Sequence, residues 1–167
     1  MKKFLGVYYA WGRDEKCLYE KMIMEKDVTK RLEFYKKHTR SDVKVQKTPG
    51  APGKTLSKSD LEEPQDINNY RSFVGQLMWY TTKVGYDVEN MARELAVHMI
   101  HPGPEYRKAL GHIIGYLKGK EKKGIFIRKP KVIKYVIFFD SNYTTYKDTR
   151  KSFSGLVSTL GGILLIC

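Results

Sequence analysis

Only two of the 167 residues are cysteines, Cys17 and Cys167, and they form no metal-ligand spacing. A thiolate metal site is therefore excluded, and the two thiols permit a reducing compartment. No apolar run approaches the roughly 18–20 residues of a membrane-spanning helix, and no helical pattern sets a basic face against a clean aromatic one. No membrane is expected as a partner. Met1-Lys2-Lys3 followed by Phe4 to Trp11 superficially has the order of a secretory leader. The run breaks at Gly12-Arg13-Asp14-Glu15 with no small-residue cleavage site after it, so it reads as folded sequence. Negative charge is also scarce: 18 acidic side chains face 31 basic ones, for a net charge of +13.

That excess favours an anionic partner, nucleic acid before any other. The length allows one or two domains. The densest pattern runs from Tyr70 to Gly119 as three successive helices. Tyr70, Phe73, Val74, Leu77 and Tyr80 or Thr81 keep the three-and-four spacing of a buried stripe, entered through Asn68 or Asn69 and ended by Gly85. Asp87 caps the second helix, whose stripe is Val88, Met91, Ala92, Leu95, Ala96 and Met99. Pro104 and Glu105 open the third, with Ala109, Leu110, Ile113, Ile114 and Leu117 buried and Gly119 closing it. Gly111 and Gly115 are read as sites of close helix packing.

Upstream, Lys3–Trp11 and Leu18–Met24 read as a strand pair about a turn at Gly12-Arg13-Asp14. Asp27–His38 reads as a basic helix that buries Val28, Leu32 and Phe34 or Tyr35 and exposes Lys30, Arg31, Lys36 and Lys37. Thr39 to Ile67 is polar and reads as a partly ordered surface linker. It contains Gly53-Lys54-Thr55, the end of a phosphate-binding loop, but Thr48 stands where the first glycine belongs. Pro49 and Pro52 also remove amides that such a loop needs. A small nucleotide-binding enzyme using these residues is kept as an alternative. His98 and His101, with Glu94 and His112 nearby, lack the further ligand a metal site would want.

Lys118, Lys120, Lys122, Lys123, Arg128, Lys129, Lys131 and Lys134 make a basic bridge opposed only by Glu121, with a short strand at 124–127 inside it. Such clusters bind phosphates by releasing counterions. The strand Val136–Asp140 ends on a carboxylate, and 151–167 adds two strand patterns broken at Gly161-Gly162, forming a meander. The fold class is α+β, divided as 1–45, 46–67, 68–120 and 121–167.

The run YRSFVGQLMWY, the Asp87-Val88 start, HPGPEYRKAL and GYLKG at 115–119 resemble, in order and spacing, copia-type LTR-retrotransposon Pol polyproteins. The matching region there joins reverse transcriptase to ribonuclease H. Tyr86 replaces a family proline, and Tyr106-Arg107 a His-Trp pair. The resemblance implies a palm-edge hairpin whose Phe4, Leu5 and Gly6 contact the primer, a thumb-like helix, a helical connection, and the first strands of a ribonuclease H-like sheet. It implies that Asp140 is one carboxylate of a Mg2+ site, with Asn142 where a second aspartate is common. Two-ion chemistry needs several carboxylates together, and the resemblance puts the others past Cys167. The polymerase's paired aspartates are absent too, since no Asp-Asp dipeptide occurs. The resemblance thus implies a fragment that binds RNA or DNA template–primer duplex alongside the rest of the polyprotein. By the same resemblance Mg2+ belongs to the intact family enzyme and is not expected to bind tightly here, and the expected location is the cytoplasm or nucleus, with a virus-like particle for the intact element. A non-functional relic, with an apolar edge at Gly162–Cys167, is the remaining alternative.

Overall fold

Leu5 and Gly6 decide how the chain begins, because both take positive φ, 47° and 82°. In the computed structural model, which describes residues 1–15, 17–40, 42–51, 56, 67–97, 99–100, 102–142 and 153–166, these two residues form a complete hairpin loop. Strand β1 (Lys2–Phe4) turns there into β2 (Val7–Arg13), with Phe4 opposite Val7 and Lys3 opposite Tyr8. Two-residue loops with this backbone match the twist of the flanking strands. The single strand expected over Lys3–Trp11 is therefore two strands. Leucine gives no turn signal at a position that glycine or asparagine normally fills.

The described chain is α+β and separates into two units, Met1–Met22 with Ile125–Cys167, and Ile23–Gly124. In the first unit, β3 (Leu18–Ile23) follows a turn closed by Asp14 N–H donating to Cys17 O at 3.1 Å and Cys17 N–H to Asp14 Oδ1 at 3.0 Å. Strand β4 (Gly124–Arg128) pairs with β3, giving the order β1-β2-β3-β4. This strand was expected within the 121–167 sheet; it belongs instead with the N-terminal strands. A second sheet has the order β5-β6-β7, from Tyr135–Asn142, Phe153–Leu160 and Ile163–Ile166. Its strands meet in antiparallel register, Tyr135 opposite Leu160 and Leu160 opposite Ile163, so Gly161-Gly162 is the expected break. Phe138 and Phe139 stay 60% and 74% exposed on opposite faces of β5.

The second unit holds helices α1 (Glu25–Thr39), α2 (Ile67–Thr81), α3 (Glu89–Val97) and α4 (Pro104–Lys118), with a 3₁₀ turn at Tyr86–Val88. The α2 stripe Tyr70, Phe73, Val74, Leu77 and Tyr80 is buried as the spacing predicts, and Leu110, Ile113, Ile114 and Leu117 of α4 are buried too. Tyr106 adds one of the largest fully buried side chains. Asp87 does not cap α3: it lies in the 3₁₀ turn, and its carboxylate accepts from Tyr116 Oη at 2.6 Å. Gly119 ends α4 with an ordinary φ of −74°. Gly85 lies beyond the end of α2, and a Cβ there would come 2.2 Å from the Tyr80 ring.

Residues 42–50, expected to split between the first domain and a linker, lie as an extended strap along α4. Gln46 N–H donates to Gly115 O at 3.2 Å, and a His112 ring N–H donates to Thr48 O at 2.9 Å. Of the two α4 glycines, Gly111 faces Tyr35 of α1 and Gly115 faces the strap backbone. Close packing is thus shared between a helix and an extended segment. No helix among the described residues is long and apolar enough to cross a membrane.

Burial raises the Tyr35, Tyr70, Tyr80 and Tyr116 phenols above the usual value near 10, Tyr80 to about 12. The neighbouring Tyr106 adds to the shift at Tyr70, and Asp87 adds to those at Tyr80 and Tyr116. A phenol that ionises later in the folded chain stabilises the fold fully below its unfolded pKa, and the gain drains away at higher pH. Helical circular dichroism is expected to hold to about pH 10 and fall progressively above it. A signal unchanged while the tyrosines ionise would contradict the assignment.

Candidate nucleic-acid interface

Some of the cations are buried or held in ion pairs, and others are exposed. Helix α1 carries Lys26, Lys30 and Lys37 along one exposed row, broken by Glu33, with Lys36 beside it and Arg40 exposed at the left-handed C-cap. At about 1.5 Å per residue the row from Lys26 to Lys37 runs roughly 17 Å. Basic residues in the last turn also suit the negative end of the helix dipole. Lys44 and Lys47 of the strap are exposed as well.

Arg31 was expected in that exposed set and is not in it. It is 4% exposed, its Nε donates to Asp27 Oδ2 at 2.7 Å, and its guanidinium lies 5.8 Å from the Tyr80 ring centre. Position 31 falls on the same stripe as Val28, so helical geometry overrides the preference of the charge for water.

Lys118 and Lys120 of the basic bridge are half-buried and ion-paired. Lys118 Nζ bonds Asp42 at 2.9 Å and Val43 O at 3.2 Å, which tethers the strap and holds the Asp42 carboxyl below its usual range. Lys120 bonds Asp87 at 2.6 Å and Tyr116 Oη, and sits over the Tyr116 ring. Both therefore serve as positioning residues. Lys122, Lys123, Lys129 and Lys131 are exposed. Phe4 and Leu5 are exposed at the tip of the first hairpin, with Gly6 completing its loop.

Arg128 Nη2 and Nε donate to Asp14 at 3.0 and 3.3 Å. The guanidinium lies 5.8 Å from the Tyr19 ring and 5.2 Å from that of Phe126, and Lys21 Nζ reaches the Phe126 ring at 5.2 Å. The two rings meet at 5.5 Å, tilted by 56°. One strand over, a Cβ on Gly12 would come 2.5 Å from Tyr19 Oη, so the Tyr19 side chain rests on the glycine. Tyr8 shares the face of Gly12 by strand alternation and has Lys3 Nζ at 5.5 Å. Aromatics and cations thus alternate across one face of the four-stranded sheet. The signal in the sequence was the spacing Tyr19-x-Lys21 and Phe126-x-Arg128, legible only once β3 and β4 are paired.

Asp140 lies exposed on β5, opposite Gly155. Among the described residues no group of three or more His, Cys, Asp or Glu side chains could hold a metal ion. The described donor set there does not fit a two-ion site. Gly53-Lys54-Thr55, His98 and His101 lie outside the described residues. Glu94 accepts from Leu56 N–H at 3.0 Å.

No family model matches the chain, and no solved structure matches it. Over 114 residues it is 31% identical to the retrovirus-related Pol polyprotein from transposon RE1 of Arabidopsis thaliana. The chain is similar to retrotransposon Pol sequence. The match covers 68% of this chain and 8% of that polyprotein. An uncharacterized mitochondrial protein of the same plant is 28% identical over 120 residues, 72% of this chain and 49% of the relative. The chain thus spans half or less of the length of these curated relatives. These similarities support a retrotransposon Pol origin for the sequence.

Proposed function

We propose that the chain is a nucleic-acid-holding segment of a copia-type reverse transcriptase and ribonuclease H polyprotein. It grips template–primer duplex by the phosphates without reading sequence. The observation that carries this is the exposed row Lys26, Lys30 and Lys37 on α1, with Arg40 at its C-cap, in a chain of net charge +13 whose similarity is to Pol sequence. A duplex presents one charge per roughly 1.7 Å of axis, so a straight row of cations can follow its backbone. Contacts of this kind fix position and carry no sequence information. Copying and cleavage belong, in this reading, to the intact polyprotein, to which this chain contributes Asp140.

The test is duplex affinity as a function of salt for the chain and for a Lys30→Glu, Lys37→Glu, Arg40→Glu variant. Affinity should fall with salt, and the log–log slope should drop by roughly 0.9 for each phosphate that the variant no longer neutralises. Asp140→Asn should leave binding unchanged. An affinity flat from low to physiological salt, or one indifferent to the triple reversal, would rule the reading out.

A further inference from the structure

We propose that the face of the four-stranded sheet carrying Tyr19 and Phe126 is a binding site for unpaired nucleotides. Their bases stack on the rings, and Lys21 and Arg128 take the flanking phosphates. The inference rests on the nucleic-acid reading above but concerns a different surface and a different form of the ligand.

Three observations converge on it. Phe126 is 45% exposed, although a β-strand can turn an aromatic of this size inward by alternation. The ring is held in place: Tyr19 lies against it from one side, and Tyr19 is itself seated on Gly12, where a side chain would collide with it. Arg128 is oriented as well, because the bonds from Nε and Nη2 to Asp14 fix one edge of the guanidinium while its plane stays near both rings.

Ordered rings beside ordered cations match the chemistry of single-stranded nucleic acid, which offers an open π-face and a phosphate at every residue. A duplex does not, since its base faces are covered by their neighbours in the stack. The face therefore selects unpaired over paired nucleotides. It does so with little sequence preference, because every base has a π-face to offer.

The experiment uses the full chain with a single-stranded oligonucleotide of about ten residues, within the usual site size, and with a duplex of equal length. Phe126→Leu and Tyr19→Leu keep apolar bulk on the sheet, and Phe126→Trp keeps the ring. The leucine variants should weaken single-strand binding by about 5- to 150-fold for each base that no longer stacks, with duplex binding unchanged. Phe126→Trp should restore it, and an abasic strand should bind weakly and equally to all variants. Equal weakening on both ligands, or single-strand binding indifferent to the leucine variants, would overturn the proposal. Failure of the α1 variant to alter duplex binding would instead count against the proposed function and leave this result standing.

Discussion

Asp27→Ala is expected to cost about 3–5 kcal/mol of stability, because it leaves a buried guanidinium without its counter-charge. Arg31 is buried beside the Tyr80 ring, and Asp27 is its ion-pair partner at 2.7 Å from Nε. Among the described residues its Nη1 is already buried without a hydrogen-bond partner, so the site has no reserve. In a chain of this size each kcal/mol moves the melting temperature by roughly 2–4 °C. A fall of about 6–20 °C follows. The Asp27→Ala, Arg31→Met double variant should recover most of the loss, since removing both charges also removes the burial penalty. Urea unfolding of the two variants decides the matter. A double variant no more stable than Asp27→Ala would show that the pair is not the source of the effect.

Gly115→Ala should be the second most damaging change. A Cβ there would sit 2.2 Å from the carbonyl oxygen of Lys44 and 3.1 Å from Gln46 Cγ. The first of these is main chain and cannot swing aside, and moving it breaks the bond from Gln46 N–H to Gly115 O. Alanine ordinarily gains up to about 1 kcal/mol over glycine inside a helix. Here the collision should reverse the sign, with a net cost of about 1–3 kcal/mol and faster proteolysis within 42–50. Gly75→Ala on α2 is the matched control, since its Cβ would meet nothing within 4 Å. That variant should be stabilised. If both alanines behave alike, the strap does not pack as described.

What the sequence disclosed, and what it hid, follows from the range of the forces involved. The stripes of α2 and α4 were legible because a helix writes its buried face into local spacing. The hairpin at Leu5-Gly6 was not, because a leucine occupies a left-handed turn position. Arg31 misled because charge is a property of the residue, whereas burial is a property of its place on the helix. Asp87 looked like a cap from its neighbours in sequence, but its partners Tyr116 and Lys120 stand on or just past α4. The strap and the β3-β4 pairing rest on contacts between residues distant in the chain. The aromatic and cationic face depends on that same pairing. For the same reason Lys118 and Lys120 read as free cations until Asp42 and Asp87 are placed beside them.

The hydrogen-bonding phase of β5 constrains how its sheet can grow. Lys134 O accepts from Gly161 N–H at 2.8 Å, and the register with β6 continues unbroken to Asn142. In an antiparallel ladder successive residues bond to alternate sides, so even-numbered positions of β5 face β6 and odd-numbered ones face away. Tyr135, Ile137, Phe139 and Ser141 hence offer their amides and carbonyls to the outer side, where no strand among the described residues is paired. Any further strand docking beside Asp140, from whatever chain, can engage only these rungs, and a slip of one residue would turn every side chain of that strand to the opposite face of the sheet.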